Sequence, residues 1–335
     1  MPLIPSLLLC ILISYLFALL AYKVKMPHVI GLILAGILLG STSLNEVIIG
    51  DNIEAVQQIG QIGFLTLMFL AGFEISWCML FKERKDAIFV ALFASILPLI
   101  IAIAVIQALG FSLHAAVAVG ICMSITAEAT KATVLLELKK LKTKLGAILM
   151  GSGILEEILG LILFMLLVFW VTGDFVANGF SHLFFALGLF VVGIFIHRHL
   201  GRENHAIKSF EKWSFVLIVP FFFISMGEKF SLDAIIGEPW LVLVIFGIAF
   251  IGKMGGTFLT KPFIKDLSWS QLFLVGWGMN SRGTIEIAIA FIALELGILP
   301  ANLYSSIVLT VLISIVLFPI VVRQMVKKDK RIMDR

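Results

Sequence analysis

The most regular feature of the chain is a series of apolar stretches, each near 20 residues long, separated by short polar segments. A helix of about 20 apolar residues is long enough to cross the hydrocarbon core of a bilayer. The pattern therefore predicts an all-α polytopic membrane protein with about eleven transmembrane helices. We predict these helices over residues 3–21, 27–43, 57–77, 87–109, 112–136, 145–171, 180–198, 213–227, 239–260, 269–298 and 302–322.

The basic residues between these stretches are consistent with the predicted layout. Twenty-one of the 25 fall in alternate segments: Lys23, Lys25, Lys82, Arg84, Lys85, Lys139, Lys140, Lys142, Lys144, Arg198, Arg202, Lys208, Lys212, Lys261, Lys265 and six from Arg323 onward. The other side holds Lys229 together with acidic residues such as Asp174. Because cytoplasmic loops carry an excess of Lys and Arg, we expect a multi-pass cell-membrane protein with an external N-terminus and a cytoplasmic C-terminus.

Two of the predicted helices have polar, glycine-containing centres between apolar arms. They are the fifth, around Ser124 and Thr126, and the tenth, around Asn280 and Arg282. Irregular polar backbone at membrane depth is tolerated where it is buried in protein or lines a cavity. The two helices also occupy equivalent places in two five-helix segments, 27–171 and 180–322, that start on opposite sides. This arrangement predicts two inverted repeats with crossed discontinuous helices, as in secondary transporters.

Glu156 and Glu157 stand side by side in the otherwise apolar stretch 145–171. A carboxylate at the bilayer centre costs roughly 2.5–3.5 kcal/mol on insertion scales, so such residues are by default functional. Adjacent residues diverge by about 100° around a helix, and the two acids therefore face different neighbours. One can be held by a basic residue while the other stays free to exchange ligands.

Composition excludes several classes of protein. The chain of 335 residues is 61% hydrophobic and 14% charged, whereas soluble domains carry about 25% charged residues. Cys10, Cys78 and Cys122 lie within or at the ends of apolar runs, without metal-binding spacing, so we interpret them as small core residues. We expect no cofactor, no bound metal beyond a transported monovalent cation, no nucleic-acid partner and no enzymatic activity.

Six sequence strings, in order along nearly the whole chain, resemble motifs of the monovalent cation:proton antiporter family. This family contains Kef-type potassium and Nap-type sodium exchangers. The strings are VIGLILAGILLG at 29–40, FLAGFEI at 69–75, SITA at 124–127, GSGILEEIL at 151–159, PFFFISMG at 220–227 and GMNSRGTIE at 278–286. The resemblance implies an exchanger of Na⁺ or K⁺ for H⁺, embedded in the lipid bilayer as a homodimer.

The resemblance also implies roles for individual residues. Glu157 matches the family's cation- and proton-binding acid, and Glu156 matches the preceding acid, which pairs with a lysine at the position of Lys253. Ser124 and Thr126 match the unwound segment beside the acids, and we expect their oxygens and the unwound backbone to help bind a dehydrated cation. Arg282, Glu286 and the neighbouring Asn280 match the polar break of the crossing helix.

Three departures from the family pattern are visible. Both acids are glutamates where aspartates are usual, which alters the geometry of the site. Glu128 and Lys131 add charges that most members lack. About two helices after the acidic helix are missing, and these belong to the linker and scaffold region on which dimerisation depends.

Structural interpretations compete with these roles. Glu156 and Glu157 can both be structural ion-pair partners, for instance of Lys253 and Lys131. The i,i+3 spacing of Glu128 and Lys131 favours a local helix pair. At i,i+4 spacing, Arg282 and Glu286 can simply neutralise the broken ends of the fifth and tenth helices.

The leading hypothesis is a secondary active transporter that exchanges Na⁺ or K⁺ for protons by alternating access at Glu157. A core bundle at 87–171 and 239–322 is predicted to move against a scaffold at 1–77 and 180–230. The main alternative is a degenerate, non-transporting homologue that acts as a membrane sensor or a complex subunit. An organic-anion transporter is disfavoured by the acid-rich helices, and an intramembrane hydrolase lacks a His near the acids.

Overall fold

The computed structural model describes residues 2–24, 26–41, 44–74, 84–173, 181–200, 204–329 and 332–333, and the described residues form helices and their connections. The helices are α1 Leu3–Lys23, α2 His28–Ser41, α3 Ile53–Glu74, α4 Arg84–Ala108, α5 Leu113–Ser124, α6 Glu128–Glu137, α7 Lys144–Thr172, α8 Ser181–Leu200, α9 His205–Leu217, α10 Val219–Glu228, α11 Leu232–Gly237, α12 Pro239–Leu259, α13 Trp269–Gly278, α14 Thr284–Glu295 and α15 Ala301–Lys328.

Seven helical segments among the described residues are long and apolar enough to cross a membrane. The fold is therefore that of a helical membrane protein, while the count of eleven spans and the inverted repeats stay predictions. Two details differ from the predicted layout. Residues 205–212, predicted as a loop, form the first part of α9, and the span predicted at 213–227 is interrupted at Ile218 between α9 and α10.

The chain divides into two compact units, of which the first comprises Met1–Ser76 and Val176–Ile236. In this unit α2 packs against α1 and α10, and α3 packs against α8 and α10. Glycines let these helices approach closely, as small residues do at membrane helix interfaces. At Gly36 a Cβ would overlap the carbonyl group of Phe223.

The second unit comprises Trp77–Phe175 and Gly237–Arg335. Its helices α4 and α12 lie against each other at a glycine contact, where a Cβ on Gly252 would come within 2.6 Å of Pro98 Cα. Hydrophobic side chains from α6, α7, α13 and α15, such as Leu149, Leu272 and Phe318, form a core toward one end of this unit.

The two polar helices of the second unit are each interrupted. Residues 125–127 separate α5 from α6, and residues 279–283 separate α13 from α14. We call these segments the first break and the second break. Both interruptions were predicted from the polar centres of these stretches.

Some residues used in the sequence predictions lie outside the described part of the chain: Lys25, Cys78, Lys82, Asp174, Arg202, Lys330, Arg331 and Arg335. Cys10 and Cys122 are buried thiols, as expected of small core residues.

Candidate ion-binding site

Seven charged side chains are buried among the described residues, and all seven belong to the second unit: Glu128, Lys131, Glu156, Glu157, Lys253, Arg282 and Glu286. We call this set the charge cluster. Each residue in it is at most 3% exposed. All seven were also singled out from the sequence. The structure brings these candidates into one unit, around the two breaks.

Lys253 on α12 holds Glu156 on α7. The ammonium Nζ lies 2.7 Å from Glu156 Oε2 and both side chains are fully buried. Lys253 also donates to Thr126 Oγ1 at 3.0 Å and to the carbonyl oxygen of Ser124. The ammonium group has three protons to donate, so these three acceptors satisfy it completely.

The first break brings Thr126 to the same acid. Its hydroxyl contacts Glu156 Oε2, and the carbonyl oxygen of Met279 in the second break lies 3.1 Å from Thr126 Oγ1. Thus one carboxylate oxygen of Glu156 is engaged by Lys253 and Thr126. The other, Oε1, is buried and accepts no hydrogen bond from the described residues.

The carboxylate of Glu157, a residue of α7, lies at the start of α6. Its Oε1 accepts a hydrogen bond of 3.3 Å from the backbone N–H of Glu128, the first residue of that helix. The N-terminus of a helix carries a partial positive charge and unsatisfied N–H groups, which favour an ionised carboxylate. The fold therefore places the Glu157 carboxylate against the N-terminus of α6.

The Ser124 hydroxyl contacts main-chain carbonyls of α4 and of its own helix. It lies 2.7 Å from the carbonyl oxygens of both Ser95 and Gly120, and it therefore faces α4 and the preceding turn of α5. Only the main-chain carbonyl of Ser124 faces the acids, through Lys253. The direction of the hydroxyl cannot be predicted from residue type, because it depends on where α4 places the carbonyl oxygen of Ser95.

The second break supplies the caps of the interrupted helices. The Arg282 guanidinium donates to the carbonyl oxygens of Cys122 at 3.1 Å, Ile125 at 2.6 Å and Met123 at 2.8 Å, at the end of α5. Such carbonyls have no partner within their own helix. A cation there also complements the negative end of the helix.

Two further side chains cap the helices on either side of the second break itself. Asn280 donates to the carbonyl oxygen of Gly276 at 2.9 Å, and Glu286 Oε2 accepts from the N–H of Gly283 at 3.0 Å. Arg282 and Glu286 thus neutralise the ends of the interrupted helices, in line with the structural interpretation of the sequence.

Two hydrogen bonds between Ala127 and Ser281 join the two breaks. The N–H of Ala127 donates to Ser281 O at 3.1 Å, and the Ser281 hydroxyl donates to Ala127 O at 3.1 Å. The breaks therefore meet at Ala127 and Ser281, and the extended backbone there is satisfied by protein groups.

Glu128 and Lys131 form the local pair that their spacing predicted, with 2.8 Å between Lys131 Nζ and Glu128 Oε1. Lys131 also donates to Leu149 O at 2.8 Å. Sequence reasoning missed Gly153 on α7, where a Cβ would overlap both the Glu128 carboxylate and the Lys131 ammonium group. The GSG string at 151–153 was the only available signal, and it did not reveal what the glycine accommodates.

The charge cluster contains four acids and three bases, so its total is one negative charge when every member is ionised. An uncompensated charge in a low-dielectric interior is costly. One proton or one monovalent cation brings the total to zero. Whichever acid accepts it, the arrangement as a whole favours a single positive charge.

Comparison with known proteins matches this chain to transmembrane exchangers. The family model described as sodium/hydrogen exchanger, transmembrane, matches residues 8–196 and 164–328. The Na⁺/H⁺ antiporter of Enterococcus hirae is 24% identical over 90% of this chain and 92% of its own length. The Na⁺/H⁺-K⁺ antiporter GerN of Bacillus cereus is 25% identical over 90% of each chain.

A solved structure has the same fold. The sodium proton antiporter MjNhaP1 of Methanocaldococcus jannaschii at pH 8 superposes with a TM-score of 0.67 at 16% identity, over 96% of this chain and 95% of that one. The alignment with the Enterococcus protein is 359 positions long, although it takes in 90% of a 335-residue chain. The relative therefore has residues where this chain has gaps.

Proposed function

Since the chain belongs to the sodium/hydrogen exchanger family, as its motifs predicted, we propose that it exchanges Na⁺ or K⁺ for protons at Glu157. The observation that carries this proposal is the total of one negative charge in the charge cluster. A single proton or a single monovalent cation neutralises that charge. Because the two ions compete for one place, binding of one releases the other, and this competition couples the two fluxes.

Glu157 is the better exchange site of the two adjacent acids. Lys253 and Thr126 already hold Oε2 of Glu156, so a cation there would face a fully buried ammonium group. Glu157 accepts a hydrogen bond from a backbone N–H at the start of α6, and the partial positive charge of a helix N-terminus stabilises a carboxylate. A proton or a cation can therefore bind Glu157 without displacing Lys253.

Oxygen atoms near the acids would help to replace the hydration shell of the cation. Glu156 Oε1 is a buried acceptor that receives no hydrogen bond from the described residues. Thr126 Oγ1 lies nearby, where it accepts a hydrogen bond from Lys253. Carboxylate, hydroxyl and carbonyl oxygens are suitable ligands for hard cations. We assign Ser124 a supporting role only, through the carbonyl that accepts from Lys253.

The identity of the exchanged ion and the transport cycle are part of this proposal. K⁺ is included because the Bacillus cereus relative is named as a Na⁺/H⁺-K⁺ antiporter. Alternating access through movement of a core bundle at 87–171 and 239–322 against a scaffold, the external N-terminus and the homodimer all stay predictions. Electrogenic transport would require Lys253 to exchange a proton during the cycle.

The test is a flux assay on purified protein in liposomes with an imposed pH gradient. We expect Na⁺ or K⁺ to dissipate the gradient with the wild type, and Glu157→Gln to fall to the level of protein-free liposomes. The matched control is Glu137→Gln, because Glu137 is half exposed and pairs with Arg323 outside the charge cluster. Wild-type exchange by Glu157→Gln would overturn the assignment of this site.

A second candidate is a non-transporting homologue, which the gaps in the alignment with the Enterococcus protein favour. Segments missing from the predicted scaffold would remove the surface against which the core moves. This alternative predicts that folded wild-type protein dissipates no gradient with Na⁺, K⁺ or Li⁺, and that a partner protein is recovered under mild detergent extraction.

A further inference from the structure

We propose that Lys131 determines the valence of the ion that the protein accepts: its ammonium group holds the charge cluster at one negative charge and so restricts the site to monovalent cations. The proposal rests on the proposed exchange at Glu157 and adds a residue that specifies the class of substrate. It concerns a charged pair, Glu128 and Lys131, to which the proposed exchange mechanism assigns no role.

The pair lies directly beside the exchange site. Glu128 donates its backbone N–H to Glu157 Oε1 at 3.3 Å, and its own carboxylate lies against Gly153 on α7. Gly153 precedes Glu157 by four residues, so both lie on the same face of α7, about 5–6 Å apart along the helix axis. The Glu128 carboxylate therefore lies against the turn of α7 that precedes Glu157.

Lys131 is held in this place by two acceptors. Its Nζ lies 2.8 Å from Glu128 Oε1 and 2.8 Å from Leu149 O, and the residue is completely buried. Gly153 leaves the space that the pair occupies, since a Cβ there would overlap both charged groups. The sequence and the packing of α7 therefore accommodate the ammonium group at this position.

Local stability does not account for the pair. Ion pairs at i,i+3 spacing stabilise exposed helices only slightly. Removing two charges from water costs more than their attraction commonly returns, so a buried pair is weak evidence for stability. Here the side chains of Lys131 and Glu128 are 0% and 4% exposed. Apolar residues at both positions would fill the same space at a lower desolvation cost.

The total charge of the cluster depends on Lys131, and this dependence accounts for the pair. With Lys131 the cluster contains four acids and three bases, and without it the total becomes two negative charges. Two carboxylates beside neighbouring turns of α7, with nearby carbonyl oxygens, are the kind of ligand set that Ca²⁺ accepts. Lys131 acts as a built-in cation that satisfies Glu128, so that only one further positive charge is required.

The experiment compares Ca²⁺ binding by wild type, Lys131→Met and the double variant Glu128→Gln/Lys131→Met, using radioactive Ca²⁺ and purified protein in detergent. We expect Lys131→Met to bind Ca²⁺ at least tenfold more tightly than the wild type, a change of about 1.4 kcal/mol. The double variant restores the total to one negative charge, and we expect it to lose this Ca²⁺ binding. In liposomes, Ca²⁺ should dissipate a pH gradient with Lys131→Met only.

Unchanged Ca²⁺ binding by Lys131→Met, in protein that elutes as the wild type does on size exclusion, would overturn the proposal, since Glu128 would then take a proton in place of Lys131. Equal Ca²⁺ binding by the single and double variants would also overturn it, because the charge total would not be the cause. Failure of the proposed exchange is distinguishable: it appears as absent Na⁺ and K⁺ responses in wild-type liposomes, whereas Ca²⁺ binding is measured without transport.

Discussion

The two breaks of the second unit are stabilised in different ways. The helix ends at the second break, residues 279–283, are capped by Asn280 of the break and by Glu286 in the first turn of α14. The first break, residues 125–127, follows a helix whose terminal carbonyls are capped by Arg282, a residue of the second break. Side chains of the second break and of the first turn of α14 thus cap helix ends at both breaks, and Thr126 remains available to contact Glu156 on α7.

This difference shows why the polar centres are not equivalent in function. If Thr126 had to cap α5, it could not contact Glu156 in the present way. Because a guanidinium group presents five donors in a planar fork, Arg282 can satisfy three carbonyls at once. The arrangement also makes the exchange site depend on the second break, since Ala127 and Ser281 are joined by one backbone hydrogen bond and by one from the Ser281 hydroxyl.

The largest effect is expected from Arg282→Met, which would leave three carbonyls at the end of α5 without their donor. Breaking a buried charge interaction on one side costs about 3–5 kcal/mol, and we expect a loss of that size in the free energy of unfolding, measured by denaturant in detergent. The control is Arg282→Lys, which keeps the charge but cannot reproduce the fork. A Lys variant with intermediate stability and retained cation binding fits the account; equal stability of all three proteins contradicts it.

A smaller effect is expected from Gly283→Ala, which tests the contact between the breaks. The added Cβ would lie 2.6 Å from Ala127 Cβ, and overpacking of this kind costs about 1–3 kcal/mol. The backbone of Gly283 is extended, so only the contact should matter. Gly247→Ala on α12 is the matched control, because its Cβ meets no atom within 4 Å. Thermal unfolding of both variants in one detergent gives the comparison, and equal melting temperatures would show that the breaks are not closely packed.

The smallest effect is expected from Asn280→Ala. This change removes one hydrogen bond, to the carbonyl oxygen of Gly276, and should lower the free energy of unfolding by about 1 kcal/mol. The charge cluster is untouched, so the cation dependence of exchange should match that of the wild type in the liposome assay. A large loss of stability would mean that the second break does not hold its helix ends independently.

Much of the fold could be predicted from the sequence because membrane helices must be apolar and about 20 residues long. The interruptions were predictable for the same reason, since Thr126 and Asn280 lie in polar stretches that a continuous lipid-facing helix would not contain. The helical start of α9 at His205 was not predicted, because residues 205–212 are polar and resemble a loop. The helix begins after Asn204, whose side chain caps it. A polar capping residue adds nothing to an apolar pattern.

The candidate site was predicted less completely. The Glu156–Lys253 pair was expected from a resemblance to known exchangers, and the structure contains it. The orientation of the Ser124 hydroxyl toward Ser95 and the space at Gly153 depend on which helices pack together. Neither follows from residue type or local spacing, so the role of the Glu128–Lys131 pair became arguable only from the packed structure.

The most direct test of the central claim is to count the protons released when a cation binds. Purified protein in a weakly buffered detergent solution would be titrated with Na⁺ and then with K⁺, and the proton release compared with the amount of cation bound. A cluster with one negative charge predicts about one proton released per cation bound, and none from Glu157→Gln. Cation binding without proton release, or unchanged release from Glu157→Gln, would contradict competition of the two ions for one site.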